Sequence, residues 1–261
     1  MTEWNARAYT RLSSPMQTWG EAVLDGLHLH GDETALDLGC GNGTLTQHLL
    51  ERLPRGKVIA VDRSANMLAA AREHLEPRFA GHVEYLQRSL DELDFDEVAD
   101  LAFSNAAFHW IKDHPRLFRV IFRAMKPGAR LVAQCGGEPN IAIVRERAAR
   151  LMQAEPYRHY FDGWTSPWEF ATPELMSERL TAAVFSDVET SRFEAPVRLS
   201  SLEETRDYLT NVILGTHLER IAEPELRKQF VETLARQYAE DDPPYVFDYW
   251  RLNLRARRPA D

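Results

Sequence analysis

The stretch ETALDLGCGNGTLTQHLLERLPRGKVIAVD, Glu33 to Asp62, decides the fold. Thr34 to Leu38 has the length and apolar content of a strand. Gly39, Gly41 and Gly43 interrupt it with a turn, and Thr44 to about Arg52 has the spacing of a helix. Lys57 to Val61 then reads as a second strand. It is apolar on consecutive positions, as a parallel strand covered by helices on both faces must be. Strand, turn, helix and strand make a βαβ unit.

The same alternation continues along the chain. Ser64 is placed to cap a helix, NMLAAAREHL, that should stop before Pro77, because proline removes an amide donor and crowds the preceding turn. Val83 to Gln87 and Asp100 to Asn105 read as strands. A helix follows near Pro115 to Met125, then a turn at KPGA and a strand at Arg130 to Cys135. Five strands alternating with helices predict a doubly wound α/β sheet, with a ligand site outside the carboxyl ends of the strands.

Beyond Gly137 the texture changes. A charged helix over about Ile141 to Ala154 leads into YRHYFDGWTSPWEF, dense in aromatic and turn residues. A further helix starts from Thr172, a strand is expected at DVETSRF, and LEETRDYLTNVILGTHL and EPELRKQFVETLARQY read as helices. From Trp250 to Arg257 the chain alternates. Trp250, Leu252, Leu254 and Ala256 fall on one face, and Arg251, Asn253, Arg255 and Arg257 on a face read as wet, the pattern of an antiparallel strand. The organisation expected is an N-terminal helical cap segment (1–30), a cofactor-binding core (31–137), and a remainder (138–261) with lid insertions at about 140–180 and 200–244 and a closing strand at 245–257.

The 261 residues suffice for one large domain with a substantial core. Forty acidic against 31 basic residues give a formal net charge of −9, which excludes a general nucleic-acid binder, since phosphate contacts need a basic face. Cys40 and Cys135 lie far apart without metal-ligand spacing, so no metal site or disulfide framework is indicated and a reducing, cytoplasmic location is expected. No apolar run approaches the ~18 residues that span a bilayer, so no membrane partner is expected. A monomer or homodimer acting on a small molecule is the expected state.

The glycine turn carries the chemistry. Asp37 stands two residues before Gly39, and the spacing G-x-G-x-G fits poorly to the dinucleotide fingerprint G-x-G-x-x-G/A. Glycines here permit positive φ and bring backbone amides close to a ligand. Asp62, at the end of the second strand, can accept hydrogen bonds from both ribose hydroxyls of an adenosine-containing ligand.

An acid followed by G-x-G-x-G resembles the first motif of the class I S-adenosylmethionine-dependent methyltransferases. The opening EWNARAY with FSNAAFHWIKDHPRLF is similar to the trans-aconitate methyltransferases, and YTRLSSPMQ with FHWIKD to the juvenile-hormone acid methyltransferases. The resemblance implies a mostly parallel, Rossmann-like seven-stranded sheet with an antiparallel C-terminal strand and a helical lid. It implies S-adenosyl-L-methionine as cofactor, with Gly39, Gly41 and Gly43 holding the methionine part and Asp62 the ribose. Met67 would lie against adenine, and Asn105 near the methionine part. Tyr9, Asp37 and Arg63 complete the implied cofactor site. Many relatives carry Asp where this chain has Ser89, so the Leu90 amide is the alternative contact to adenine. Both branches methylate carboxylates, and Gln17 and Trp110 match their carboxylate donors.

A carboxylate is ionised at neutral pH and needs alignment rather than a base. Neutral donors orient it without binding its ground state as strongly as a guanidinium would. With a phenol or other hydroxyl as acceptor, His109 would instead serve as general base. Two further alternatives are a non-catalytic S-adenosylmethionine-binding protein and an NAD-linked oxidoreductase, the latter disfavoured by the glycine spacing. Tyr157, Tyr160, Phe161, Trp164, Trp168 and Phe170, with His217 opposite, suggest an apolar lid. With only Arg158 and Arg63 as candidate cations near it, a monocarboxylate acceptor is expected.

Overall fold

The computed structural model describes residues 14–260. Helix α1 (Ser14–Asp25) precedes β1 (Thr34–Leu38), α2 (Thr44–Arg52), β2 (Lys57–Asp62), α3 (Ala65–Phe79), β3 (Val83–Gln87) and β4 (Ala99–Asn105). Then come α4 (His114–Ala124), β5 (Met125–Gly136), α5 (Ala142–Met152), α6 (Pro173–Ala182), β6 (Ser186–Glu194) and β7 (Val197–Arg198). The chain ends with α7 (Leu202–Tyr208), α8 (Gly215–Leu218), α9 (Pro224–Ala239), β8 (Val246–Phe247) and β9 (Trp250–Arg257).

Seven strands form one sheet in the order β3-β2-β1-β4-β5-β9-β6, with β9 antiparallel to both neighbours. The order reverses between β1 and β4, so the carboxyl ends of β1 and β4 flank the switch point where a doubly wound sheet opens a crevice. Period-two alternation assigns each strand's side chains to opposite faces. Leu36, Leu38, Ile59, Val61, Ala102 and Leu131 pack under α4 and α6, contributing to one core with Phe118 and Leu180. Ala35, Val58, Ala60, Leu101, Phe103 and Val132 point the other way, against Leu24, Leu49 and Leu75 of α1, α2 and α3. A further cluster joins α5, the 157–168 segment, α9 and Tyr249, and it includes Met16 of α1.

Three local departures have physical causes. Helix α3 runs through Pro77 to Phe79: in the last turn a proline forfeits one backbone hydrogen bond, and its fixed φ is already helical. The KPGA turn is absorbed into β5, where a register irregularity between Ala99 and Leu101 takes up the extra residues. The helix read across residues 202–218 is broken by a π-turn over Leu209–Ile213, an irregularity often found beside functional sites. Capping follows the sequence elsewhere: Ser64 accepts from the Met67 amide at 3.3 Å and Asp113 from the Arg116 amide at 2.9 Å.

The glycine turn joins β1 to α2 and depends on Gly43, which has φ of 84°. A Cβ there would lie 3.0 Å from Leu75 Cδ1 and 3.1 Å from Ala71 Cβ, on the facing helix α3. Gly43→Ala is therefore expected to cost about 1–2 kcal/mol for the left-handed backbone alone. A lowered urea midpoint at unchanged denaturant slope would report it.

Candidate active site

A cleft open to solvent, with about 1040 Å³ of space in it and at its mouth, lies at the carboxyl ends of β1, β2 and β4. One half is lined by Gly39, Gly41, Asp62, Arg63, Met67, Ser89, Leu90 and Asn105. The other is lined by Met16, His109, Trp110, Asn140, Ile141, Trp168, Phe170 and Arg251, among others.

The first half is organised by the end of β2. The amides of Gly39 and Cys40 both donate to the Val61 carbonyl, at 2.8 and 3.0 Å. The Gly41 amide donates to Asp62 Oδ2 at 3.0 Å, and the Ser64 amide to Oδ1 at 2.9 Å. These three turn amides thus bond to the end of β2, while Gly39 and Gly41 line the cleft as expected of the turn. The turn fixes the Asp62 carboxylate and leaves room: a Cβ on Gly41 would meet nothing within 4 Å. Burial raises the Asp62 carboxyl above its ordinary value, opposed by the Ser64 and Gly41 amides.

Asp37 does not line the cleft. It is buried beneath the turn, accepting from Thr46 Oγ1 at 2.6 Å. Burial, opposed by that bond and reinforced by the charge of Asp62, pushes its carboxyl up to about 7. Gly43 packs against α3 and also lies off the cleft wall. Ser89 turns its hydroxyl to Asp91 rather than inward, while Met67 and Leu90 are buried in the wall. Asn105 donates through Nδ2 to the Met16 carbonyl at 3.0 Å, and its buried Oδ1 accepts no hydrogen bond from the described residues.

The second half is built on the turn after β4. Ala106 takes a left-handed φ of 59° while its amide donates to the Gln134 carbonyl at 2.8 Å. A single 3₁₀ turn, Phe108–Trp110, follows. His114 clamps it from below through the Phe108 carbonyl at 3.0 Å, with its other nitrogen 2.6 Å from Arg179, which pairs with Glu169. The Glu169 amide donates back to the His109 carbonyl at 2.8 Å, and Lys112 holds the Trp168 carbonyl at 2.6 Å. The lid segment and the floor turn are therefore stitched together.

His109 is buried, stacked on Phe170 with ring centroids 5.5 Å apart. Its Nδ1 accepts from the Gly136 amide at 3.2 Å. A ring nitrogen that accepts carries no proton, so in the neutral ring the hydrogen sits on Nε2. Burial, then the positive charges of Arg251 and His114, hold the imidazole pKa well below 6.5. Trp110 is half-buried beside His109 and Trp168, at 5.4 and 6.0 Å between ring centroids.

Of the remaining expected residues, Gln17 is half-buried in α1, next to the cleft-lining Met16, but does not itself line the cleft. Tyr9 lies outside the described residues. Arg63 lines the cleft and Arg158 is exposed away from it. Sequence reasoning missed Asn140 and Arg251, both buried cleft residues. Arg251 was read on a wet face. Because β9 runs antiparallel to β5, its first residues stand at the carboxyl end of the sheet, and that signal was available from the strand order alone.

Together the reversed β9, the glycine turn and the acid ending β2 belong to the Rossmann-like methyltransferase fold. The solved structure of phosphoethanolamine N-methyltransferase 2 from Haemonchus contortus, in complex with S-adenosylhomocysteine, matches 97% of this chain and 57% of its own with a TM-score of 0.63 at 22% identity. Residues 36–133 match the methyltransferase domain family. Trans-aconitate 2-methyltransferase of Variovorax paradoxus is 34% identical over 160 residues, 60% of either chain. An uncharacterized methyltransferase of Schizosaccharomyces pombe is 28% identical over 215 residues, covering 79% of this chain and 78% of that protein. The matches to the trans-aconitate enzymes thus span about three fifths of those proteins' length.

The Asp37 carboxyl gives this site a pH signature. Its pKa rises from 3.8 to about 7 on folding, so its contribution to stability is present below pH 3.8 and is lost as pH rises to 7. Asp37→Asn keeps an acceptor for Thr46 and removes that loss. The variant should melt higher than the native chain at pH 8, with the difference shrinking toward pH 5 in paired thermal unfolding curves.

Proposed function

We propose that this protein is an S-adenosylmethionine-dependent methyltransferase that methylates a carboxylate oxygen of a small molecule. The observation that carries this reading is the pairing of the two cleft halves: a fixed ribose-type acid, Asp62, on one side and neutral donors around an aromatic floor on the other. The first half fits the cofactor. Asp62, oriented by two amides, has lone pairs to spare for a diol. The buried Oδ1 of Asn105 suits an ammonium group. Met67 and Leu90 offer an apolar wall to a planar base. When bound, S-adenosylmethionine would supply an electrophilic methyl on sulfur, with the neutral thioether as the leaving group that takes the carbon–sulfur electron pair as the new bond forms.

The protein's own task is then alignment. An acceptor carboxylate contributes the oxygen lone pair that forms the new bond, and no proton moves. His109, with Nε2 protonated and Nδ1 engaged by Gly136, is a donor toward the acceptor. Its depressed pKa keeps that donor neutral, so it orients an oxygen without the ground-state grip of a full charge. The Trp110 indole is the second donor; Gln17, which does not line the cleft, stays outside this donor set. Phe170 and Trp168 exclude water from the transfer path. A hydroxyl acceptor would need an unprotonated Nε2, which the Gly136 amide disfavours; this weighs against the general-base alternative.

Two experiments test this reading. Radiolabelled methyl transfer should give a base-labile ester from carboxylic acids, and in Asp37→Asn, which removes the carboxyl that titrates at about 7 beneath the turn, kcat/KM should stay flat from pH 6 to pH 9, because the acceptor is already ionised and His109 already neutral; a rising limb in that variant would identify a general base and sink the proposal. Asp62→Ala should weaken S-adenosylhomocysteine binding roughly tenfold to a hundredfold, the worth of hydrogen bonds to a charged group, measured by calorimetry.

A further inference from the structure

The loop that joins β5 to α5 carries a carboxamide into the acceptor half of the cleft. Asn140 is 3% exposed yet lines the cavity. Both of its backbone groups are engaged: the amide donates to the Gly137 carbonyl at 2.7 Å, and the carbonyl accepts from Arg145 Nη1 at 3.3 Å. Its side-chain Oδ1 accepts from the amide of Trp250, the first residue of β9, at 2.8 Å. A backbone amide only donates, so the atom facing it is the oxygen, and the orientation of the carboxamide is settled before any ligand arrives. Nδ2 is then the polar group left over, and among the described residues none accepts a hydrogen bond from it.

The surroundings of Nδ2 are those of His109. Gly136, whose amide donates to His109 Nδ1, has no room for a side chain: a Cβ there would lie 2.7 Å from Asn140 Nδ2 and 2.7 Å from Phe170 Cε1. Phe170 in turn stacks on the His109 ring. One glycine thus brings the imidazole and the carboxamide against the same piece of backbone. The next residue, Ile141, is buried in the cleft wall at a left-handed φ of 48°, with its amide donating to the Asp248 carbonyl at 2.9 Å. A β-branched side chain rarely adopts that conformation, and strain of this kind persists where the surroundings over-determine the backbone, as they do at ligand sites.

A buried donor without a partner is costly, and a ligand oxygen removes the cost. We propose that Asn140 is an acceptor-binding residue: its Nδ2 donates to an oxygen of the acceptor carboxylate and, with His109 Nε2, fixes the plane of that group for transfer. This rests on the carboxylate-methylating reading above. Two donors from separate elements, the floor turn and the loop after β5, hold a planar group against a rotation that one donor leaves free. Both are neutral, so the attacking oxygen keeps its nucleophilicity.

The test uses the full chain with hexanoate and phenylacetate as probe acids. Each is assayed for methyl transfer and, separately, for calorimetric binding to the protein saturated with S-adenosylhomocysteine. Asn140→Asp is nearly isosteric, keeps an oxygen for the Trp250 amide and replaces the donor by an anion. It should lower kcat/KM and acid affinity by roughly a hundredfold or more, while S-adenosylhomocysteine affinity is unchanged. Asn140→Ser removes the donor without adding charge; it should lose roughly tenfold to a hundredfold, the worth of one hydrogen bond to a charged group, and remains informative if the Asp variant does not fold. Acid binding and turnover at the wild-type level in both variants, or a loss of S-adenosylhomocysteine affinity as large as the loss of acid affinity, overturns the proposal. Binding separates the two readings: acid affinity lost with Asn140 but no acid methylated would overturn the reaction and leave the donor standing. Acids methylated equally well by wild type and both variants would do the reverse, and a wild type that binds neither acid would overturn both.

Discussion

Two carbonyl and carboxylate acceptors at the end of β2 hold the site together. The Val61 carbonyl takes the amides of Gly39 and Cys40, and Asp62 takes those of Gly41 and Ser64. These bonds lock the turn after β1 to the end of the neighbouring strand β2. Everything in the first half of the cleft is positioned from there. The direction of α2, the space beside Gly41 and the burial of Asp37 beneath the turn all follow from the same few bonds. Burying two carboxyls here has an electrostatic cost: desolvation raises the pKa of both, and the charge of Asp62 adds to it at Asp37. Local strain of this kind is tolerated where a site requires preorganised charge.

The second half is held by a different device. The floor turn Phe108–Trp110 is too short to be rigid alone, and His114, Arg179 and Glu169 connect it to the lid segment through a chain of hydrogen bonds. The Glu169 amide closes the loop on the His109 carbonyl. The Gly136 amide then fixes which imidazole nitrogen carries the proton, and the chemistry proposed for His109 depends on that fact more than on its identity as a histidine. The aromatics of the 157–170 segment and the floor share one core with Met16 of α1, so the second half of the cleft is assembled from parts of the chain far apart in sequence.

Much of the core was legible in the sequence because its signals are local. Short apolar runs bounded by turn residues identified β1, β2, β3 and β4, and Ser64 caps α3 as its position predicts. Misreadings arose where a neighbour changes the local rule. Pro77 does not stop α3, because the last turn has little left to lose. KPGA does not break β5, because the pairing with β4 absorbs the extra residues. The π-turn over Leu209–Ile213 has no signature in the spacing of its apolar residues. In the site, Asp62, Met67, Leu90, Asn105, His109 and Trp110 were found from motif and position, and all line the cleft. Asp37 and Gly43 were grouped with them by motif, yet they support the wall from behind.

By itself the sequence determined the βαβ opening, the acid at the end of β2 and the aromatic turn after β4, because each is written in contiguous residues whose backbone preferences and periodicity act over a few positions. Only the tertiary structure decided three things: that the amides of Gly39, Cys40 and Gly41 bond the end of β2, that the proton of the neutral His109 ring sits on Nε2, and that Arg251 is buried in the cleft wall. Each depends on a partner distant in the chain, whether Val61, Gly136 or Trp19. Alternation along β9 could show that Arg251 leaves one face of the strand, but what covers that face is α1, more than two hundred residues earlier in the chain.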